Sequence, residues 1–407
     1  MTTVLNEFEL AEGWKELPFR AIAKKVSESG HPDLESLSVF LDSGVVPRSS
    51  REDNHNQLGE SLEKYQRVMP NDLVFNKLRT WQGGFGISRY DGIVSPAYII
   101  TRPNLSLVDP RFLGFLLKSR PYLSELARLS KWMPPTQFDI SWESIRDLKV
   151  RLPDIEEQRR IAVALESQID LLDSLISVKR KIILNIEEVW QSRLRDAYAE
   201  SNFTSVPLKF YAWWQEGPGI MAEDFRSSGV PIMRISHVRT EPFNLEGCQF
   251  VEEELANRKW SKYFAKSGDL IISASASTEA IATEVNEALA GSIPYTGLIR
   301  IKSTNSALSN DYLRFFLISP LFWNQVEQLK QGIGIQHWGP SHLSQVVVPL
   351  PELSEQNRIV QGLRSLEEAK KSILQLQRDS IEGLIELKES TITSLVTGEK
   401  SESWGRK

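Results

Sequence analysis

The stretch "RLPDIEEQRRIAVAL" begins at Arg151, and "PLPELSEQNRIVQGL" begins at Pro349, 198 residues later. The two align without a gap. Pro153 falls on Pro351, Glu157 on Glu355, Gln158 on Gln356, Arg160 on Arg358, Ile161 on Ile359 and Leu165 on Leu363. A shared P-x-x-x-E-Q-x-R-I phrase, followed each time by the same kind of segment, means that one structural unit occurs twice. Whatever fold the chain takes must therefore accommodate two copies.

Each copy opens a long run with few breakers. Neither Pro nor Gly occurs from Asp154 through Val206. No Pro follows Pro351, and only Gly362 and Gly383 interrupt before Gly398. In the first run, apolar residues fall at Ile161, Leu165, Ile169, Leu172, Ile176, Ile183, Ile186, Trp190 and Leu194. Steps of three, four or seven predict a coiled-coil helix. Asp154, with Glu157 three residues on, resembles a helix-start capping box. The second run places Ile359, Leu363, Leu366, Ile373, Leu376, Leu384, Leu387, Ile392 and Leu395 in the same way, with Ser380 on the expected seam. About 40 residues of helix reach about 60 Å. Helices of that length need a partner for their apolar stripe. The simplest partner is the other copy, because the two are equivalent repeats, and the matched helices would offer pseudo-twofold docking faces.

The remaining segments mix strand and helix signals and also match each other. "MPNDLVFNK" parallels "KSGDLIISA", with Asp72 and Asp269 at a turn feeding a strand. "DPRFLGFLLKSRPYL" parallels "SNDYLRFFLISPLFW", and "TQFDISWESIRDLKVRLP" parallels "IQHWGPSHLSQVVVPLP". The expected fold class is α+β, with domains at 1–153 and 201–351, spacer helices at 154–200 and 352–398, and a tail at 399–407. Two dissimilar sensors joined by a paired rigid helix would act as a ruler along a partner.

Charge neither demands nor forbids nucleic acid. The chain of 407 residues carries a net −5, of which residues 1–153 hold +1. A DNA binder with this balance must gather its positive side chains on one face or borrow charge from a partner. The single cysteine, Cys248, leaves no disulfide framework and fits a reducing cytoplasm. The N-terminal stretch shows no secretory signal, and no apolar run approaches the ~20 residues of a membrane span.

Sites of chemistry are missing from the pattern. The chain lacks a Gly-Lys pair, hence a phosphate loop, and lacks G-x-S-x-G and N-P-P-[FYW] motifs. His337 and His342 are the nearest histidines, at a spacing poorly suited to a metal. The expectation is no catalytic residue and no metal site. Binding groups are plentiful. Arg and Lys suit guanine, and Asn and Gln suit adenine. Candidate base readers are Arg48, Ser49, Ser50 and Arg51, then Asn76, Lys77, Arg79, Thr80 and Gln82 beside Trp81. In the second domain they are Arg234, Ser236, His237 and Arg239, then Ser273, Ser275, Ser277 and Thr278, then Gln336 and His337 beside Trp338. Each of these taken alone reads more readily as part of a solvated loop or turn; as groups at matched positions of the repeat the two readings balance. Trp14, Trp132 and Trp142 read as core or interface.

The doubled P-x-x-x-E-Q-x-R-I starts, "LSVFLDSGVVPRS", the turn "GDLI" and the ending "SLVTGE" resemble the DNA-specificity subunit of type I restriction-modification systems. The resemblance implies two target recognition domains, each reading one half of a bipartite asymmetric sequence in double-stranded DNA. It implies conserved helices paired as an antiparallel coiled coil. It implies two docked methyltransferase (modification) subunits, with restriction subunits joining the full complex. S-adenosylmethionine, ATP and Mg would sit on those partners and no cofactor on this chain. Two other readings stay open on the residues alone: a specificity subunit for a fused nuclease-methyltransferase, or a helical scaffold with two protein-binding domains.

Overall fold

A computed structural model describes residues 10–51, 62–133, 137–199, 203–239, 243–274, 281–330 and 338–398. The chain forms two compact units, Met1–Lys179 with Asp379–Lys407, and Arg180–Arg378. Two long helices, Ile155–Tyr198 and Leu353–Thr397, follow the repeated phrase. Each compact unit takes half of each helix. The cause is burial. In the first unit the core gathers Ala162 and Leu165 from the first helix and Val396 from the second around Phe75, Phe112 and Tyr122. In the second unit Trp190, Leu194 and Tyr198 join Ile359, Val360 and Leu363 around Tyr312, Phe315 and Phe316.

Within each unit the same sheet recurs. In the first, the strands run Ala23–Val26, Tyr98–Pro103, Leu73–Asn76, Phe85–Ile87 in spatial order, all antiparallel. In the second they run Ala212–Glu216, Leu298–Ser303, Leu270–Ser273, Ala282–Glu284, again all antiparallel. Leu73 sits opposite Thr101 as Leu270 sits opposite Ile301. The turn before the central strand is one motif twice. Asn71 and Gly268 both adopt left-handed φ, 73° and 80°, a conformation open to Gly and tolerated by Asn. The next carboxylate closes the turn: Asp72 Oδ2 accepts from Met69 N at 2.9 Å and Asp269 Oδ2 from Lys266 N at 3.0 Å. Arg102 then pairs with Asp72 at 2.8 Å, and Lys302, in the matching register, lies 3.8 Å from Asp269.

A helix hairpin packs on each sheet, Pro110–Lys118 with Arg120–Leu129 and Asn310–Leu317 with Pro320–Lys330. Both break at a serine whose hydroxyl donates to a carbonyl three residues back, Ser119 to Leu116 and Ser319 to Phe316, each at 2.7 Å. Small ladders finish each unit: Lys15–Pro18 with Lys149–Leu152, and Thr204–Pro207 with Val347–Leu350. Trp14 and Trp142 pack edge-on against Phe112 and Phe19, as core residues do. The side chain of Trp132 lies outside the described residues.

Where the units diverge is beside the common sheet. The first carries a hairpin, Leu37–Phe40 with Gly44–Pro47, and a second antiparallel ladder, Gln66–Val68 with Gly92–Val94. The second carries a four-stranded sheet, Phe225–Arg226, Phe250–Val251, Val230–Met233 and Ile293–Pro294, whose last pair is parallel.

The helix pairing is antiparallel in each unit. In the first, Lys388 Nζ reaches Asp173 at 2.7 and 2.8 Å while Leu165 packs near Val396. In the second, Lys370 Nζ reaches Glu187 at 2.7 Å while Leu194 packs near Leu363. The first helix uses the expected seam: Leu165, Leu172 and Ile176 are buried, and Ile161, Ile169 and Ile183 half-buried. The second departs from expectation. Ile359, Leu363 and Leu384 are buried or half-buried, but Leu366, Ile373 and Leu376 are exposed. Its seam runs instead through Leu363, Glu367, Lys370, Leu374, Gln377, Ile381, Leu384 and Lys388, at steps of four and three. Long polar side chains occupy seam positions because their alkyl stems cover the partner helix while their heads reach water or an ion pair.

Candidate nucleic-acid interface

The repeated phrase itself is structural. Gln158 is buried and acts as a pin. Its Nε2 donates to Leu107 O at 3.1 Å and Pro153 O at 2.9 Å, and its Oε1 accepts from Asp109 N at 3.0 Å. Gln356 repeats the set: Nε2 to Ala307 O at 2.7 Å and Pro351 O at 2.8 Å, with Oε1 accepting from Ser309 N at 2.8 Å. Each glutamine thereby ties the start of a long helix to the start of the reader hairpin, satisfying buried backbone groups that no helix bond reaches. Glu157 pairs with Arg160 and Glu355 with Arg358 on the surface. Arg111 with Glu166 at 3.1 Å and Arg314 with Glu367 at 2.7 Å add a second tie in each unit. Gln158 and Gln356 were visible in the sequence only as a repeat.

In each unit some of the candidate readers stand where the central strand of the common sheet stops. In the first unit, Asn76 ends that strand and a short 3-10 turn, Thr80–Gln82, follows. The loop is tightly tied. Gly84 N donates to Arg79 O, Asn76 N to Gly84 O, and a Cβ on Gly84 would stand 2.7 Å from Arg79 O. Trp81 lies against Phe138, ring centres 4.9 Å apart. Lys77 Nζ donates to Pro96 O at 3.1 Å. Arg79 and Gln82 are exposed; Thr80 is buried, its hydroxyl donating to Asn76 O at 2.7 Å. Thr80 therefore shapes the loop and offers no surface to a ligand.

The group at 48–51 is held by its own hairpin. Ser49 donates to Glu35 at 2.9 Å and Ser50 to Pro47 O at 2.6 Å. Arg51 binds Asp42 at 2.9 Å and lies over the Phe40 ring, its carbon 4.6 Å from the centroid. That guanidinium holds the Asp42 carboxyl below the usual range. Arg48 is half-buried in the same turn. Next to Trp81, a cavity of about 300 Å³ exposes Lys118 and Arg120, two cations that sequence reading passed over. Burial, and then nearby Lys388, push the Lys118 ammonium below the ordinary lysine value. The "LLKSR" stretch carried the signal, hidden within a helical run.

In the second unit, Arg234 and Ser273 come together. They line one cavity of about 360 Å³ with Tyr295, Gly297 and Leu298. Ser273 and His237 are buried rather than exposed. His237 Nδ1 accepts from Arg234 N at 2.9 Å, and burial followed by the Arg234 charge holds its pKa below the usual value. Ser236 and Arg239 are exposed on the same short helix. Ser275, Ser277, Thr278, Gln336 and His337 lie outside the described residues. Among the described residues no cluster of His, Cys, Asp and Glu could hold a metal ion, and no helix is long and apolar enough to cross a membrane.

Residues 215–382 match the model of the type I restriction modification DNA specificity domain. Over 361 residues, 82% of each chain, this one is 20% identical to the type I restriction enzyme MjaVIII specificity subunit of Methanocaldococcus jannaschii. Two solved structures share the fold at 16% identity. One is a chain from work on complex assembly and conformational transition of the type I R-M system, with TM-score 0.77 over 96% of this chain and 100% of that one. The other is the HsdS subunit from Thermoanaerobacter tengcongensis, with TM-score 0.53 over 96% and 98%.

Proposed function

We propose that this chain, a type I restriction-modification DNA-specificity subunit, reads the two halves of an asymmetric split target with its two unlike reader regions. It is a recognition subunit and not an enzyme. Specificity subunits of type I systems work with DNA and with modification and restriction subunits. The observation that carries the reading is the contrast within the repeat. The four-stranded sheet, the aspartate turn and the glutamine pin recur in both units. The elements beside them differ entirely. A common frame with divergent attachments suits two different short words of DNA.

The helix faces support docking of two copies of one modification subunit. Exposed apolar residues recur at repeat-equivalent positions, with nearly equal exposure: Leu175 and Ile373 at 41% and 42%, Val178 and Leu376 at 53% and 65%, Val189 and Leu387 at 58% and 52%. In the second unit Ile182, Val189, Leu366 and Ile373 border an open groove of about 310 Å³. Apolar patches outside the helix seam mark surfaces that a partner covers. Two equivalent faces fit two equivalent partners. The acidic balance of the chain fits a division in which partners supply part of the phosphate-contacting surface.

The test is to produce the chain together with modification subunits and to sequence the methylated sites. The expected result is a split motif with two unlike halves, absent without this chain. Methylation that is independent of the chain would contradict the reading.

A further inference from the structure

Arg234 is the best-prepared base reader among the described residues. Its guanidinium lies beside two neighbouring rings, its carbon 5.5 Å from the Phe225 centroid and 5.2 Å from that of Tyr295, with the two ring centres 6.3 Å apart. One terminal nitrogen donates to Gln249 Oε1. Its backbone is fixed as well: Arg234 N donates to the His237 ring, and Tyr295 N donates to Met233 O at 2.8 Å. The side chain is thus ordered before any ligand arrives, so little rotamer entropy remains to be lost on binding.

It is also unfinished. Nε is buried and has no acceptor among the described residues. A buried donor without an acceptor costs about 1–3 kcal/mol, and such groups persist where a ligand completes them. The cavity in front of Arg234 is walled mainly by Ile235, Tyr295 and Leu298, with Ser273 and Thr296 as its polar members and Gly297 presenting no side chain at φ +84°. A side chain at that left-handed position would be strained. Apolar walls and a rigid planar donor suit the edge of a flat ring with adjacent acceptors. Phosphate is better served by flexible, exposed cations. Among base edges in the major groove, guanine alone offers the N7 and O6 acceptor pair that arginine matches.

We infer that Arg234, held by Phe225, Tyr295 and Gln249, reads a guanine in the half-site bound by the second unit. His237 acts as a positioning residue through the Arg234 backbone. The inference rests on the DNA-specificity reading and deepens it by naming the base and the residue.

The experiment uses the full chain in complex with modification subunits, on a library of split sites, with wild type, Arg234→Gln, Arg234→Ala and Gln249→Ala. The wild-type motif is expected to hold a G·C pair in the half assigned to the second unit. Arg234→Ala should relax discrimination at that one pair by about 5- to 150-fold, and Arg234→Gln should shift it toward adenine. Gln249→Ala should weaken it less, and the other half-site should stay intact in every variant, which also reports a folded complex. Three results overturn the inference: no change at any single pair, uniform weakening across all sequences with a shallower salt slope, which is the mark of a phosphate contact, or loss of both halves in every Arg234 variant, which is the mark of a structural role. A wild-type complex with no split motif at all would instead sink the specificity reading itself.

Discussion

At the scale of single residues, the two glutamines show why the repeated phrase exists. Gln158 and Gln356 each satisfy one amide and two carbonyls in a buried corner. Replacing Gln356 with Ala leaves those groups without partners, at about 1–3 kcal/mol for each group that water cannot reach. The Ser309 amide should then lose hydrogen-exchange protection while the Asp109 amide in the first unit keeps its own; unchanged protection at Ser309 would refute the pin. The sequence made the phrase conspicuous without disclosing this role, because a glutamine after a glutamate at a helix start reads as solvent-facing charge and polarity. The aspartate turns were easier. Asn-Asp and Gly-Asp before a strand name the left-handed residue and the closing carboxylate directly. Among the candidate readers, residue type separated nothing. Arg79 is exposed, Arg51 is bound to Asp42, and Arg234 rests against two rings and Gln249. Those fates depend on groups outside the stretches that name the candidates, such as Asp42 and Tyr295.

At the scale of elements, the two long helices differ in how plainly they announce their pairing. The first places apolar letters on its seam, so its stripe could be read directly. The second places Glu367, Lys370, Gln377 and Lys388 there and leaves Leu366, Ile373 and Leu376 outside. Following hydrophobic letters alone therefore tracks the outer face. That distinction separates two substitutions that look alike on paper. Leu363→Asp buries a carboxylate in the core of the second unit and should destabilise it by several kcal/mol, on the order of 3 or more. Leu376→Asp, on the exposed face, should change stability by no more than about 0.5 kcal/mol yet weaken binding of the modification subunit. Thermal unfolding together with a pull-down of the co-produced subunits tests both, and equal unfolding losses in the two variants would show the face to be a second seam.

For the whole molecule, the repeat organises everything else. Each unit draws on both helices, because helix halves that are far apart in the sequence share one core with a reader sheet. Contiguous segments were legible from proline and glycine content, whereas these units were not, since no local signal says which half of a helix a sheet will cover. The duplicated frame explains how one chain can hold two independent readers, and it makes the readers exchangeable in principle. The most direct measurement replaces residues 203–350 with the corresponding reader of a related subunit and sequences the methylated sites of the resulting complex. One half of the split motif should change and the other should remain base for base. If both halves changed together, the two units would not be separate readers and the interpretation built on the repeat would fail.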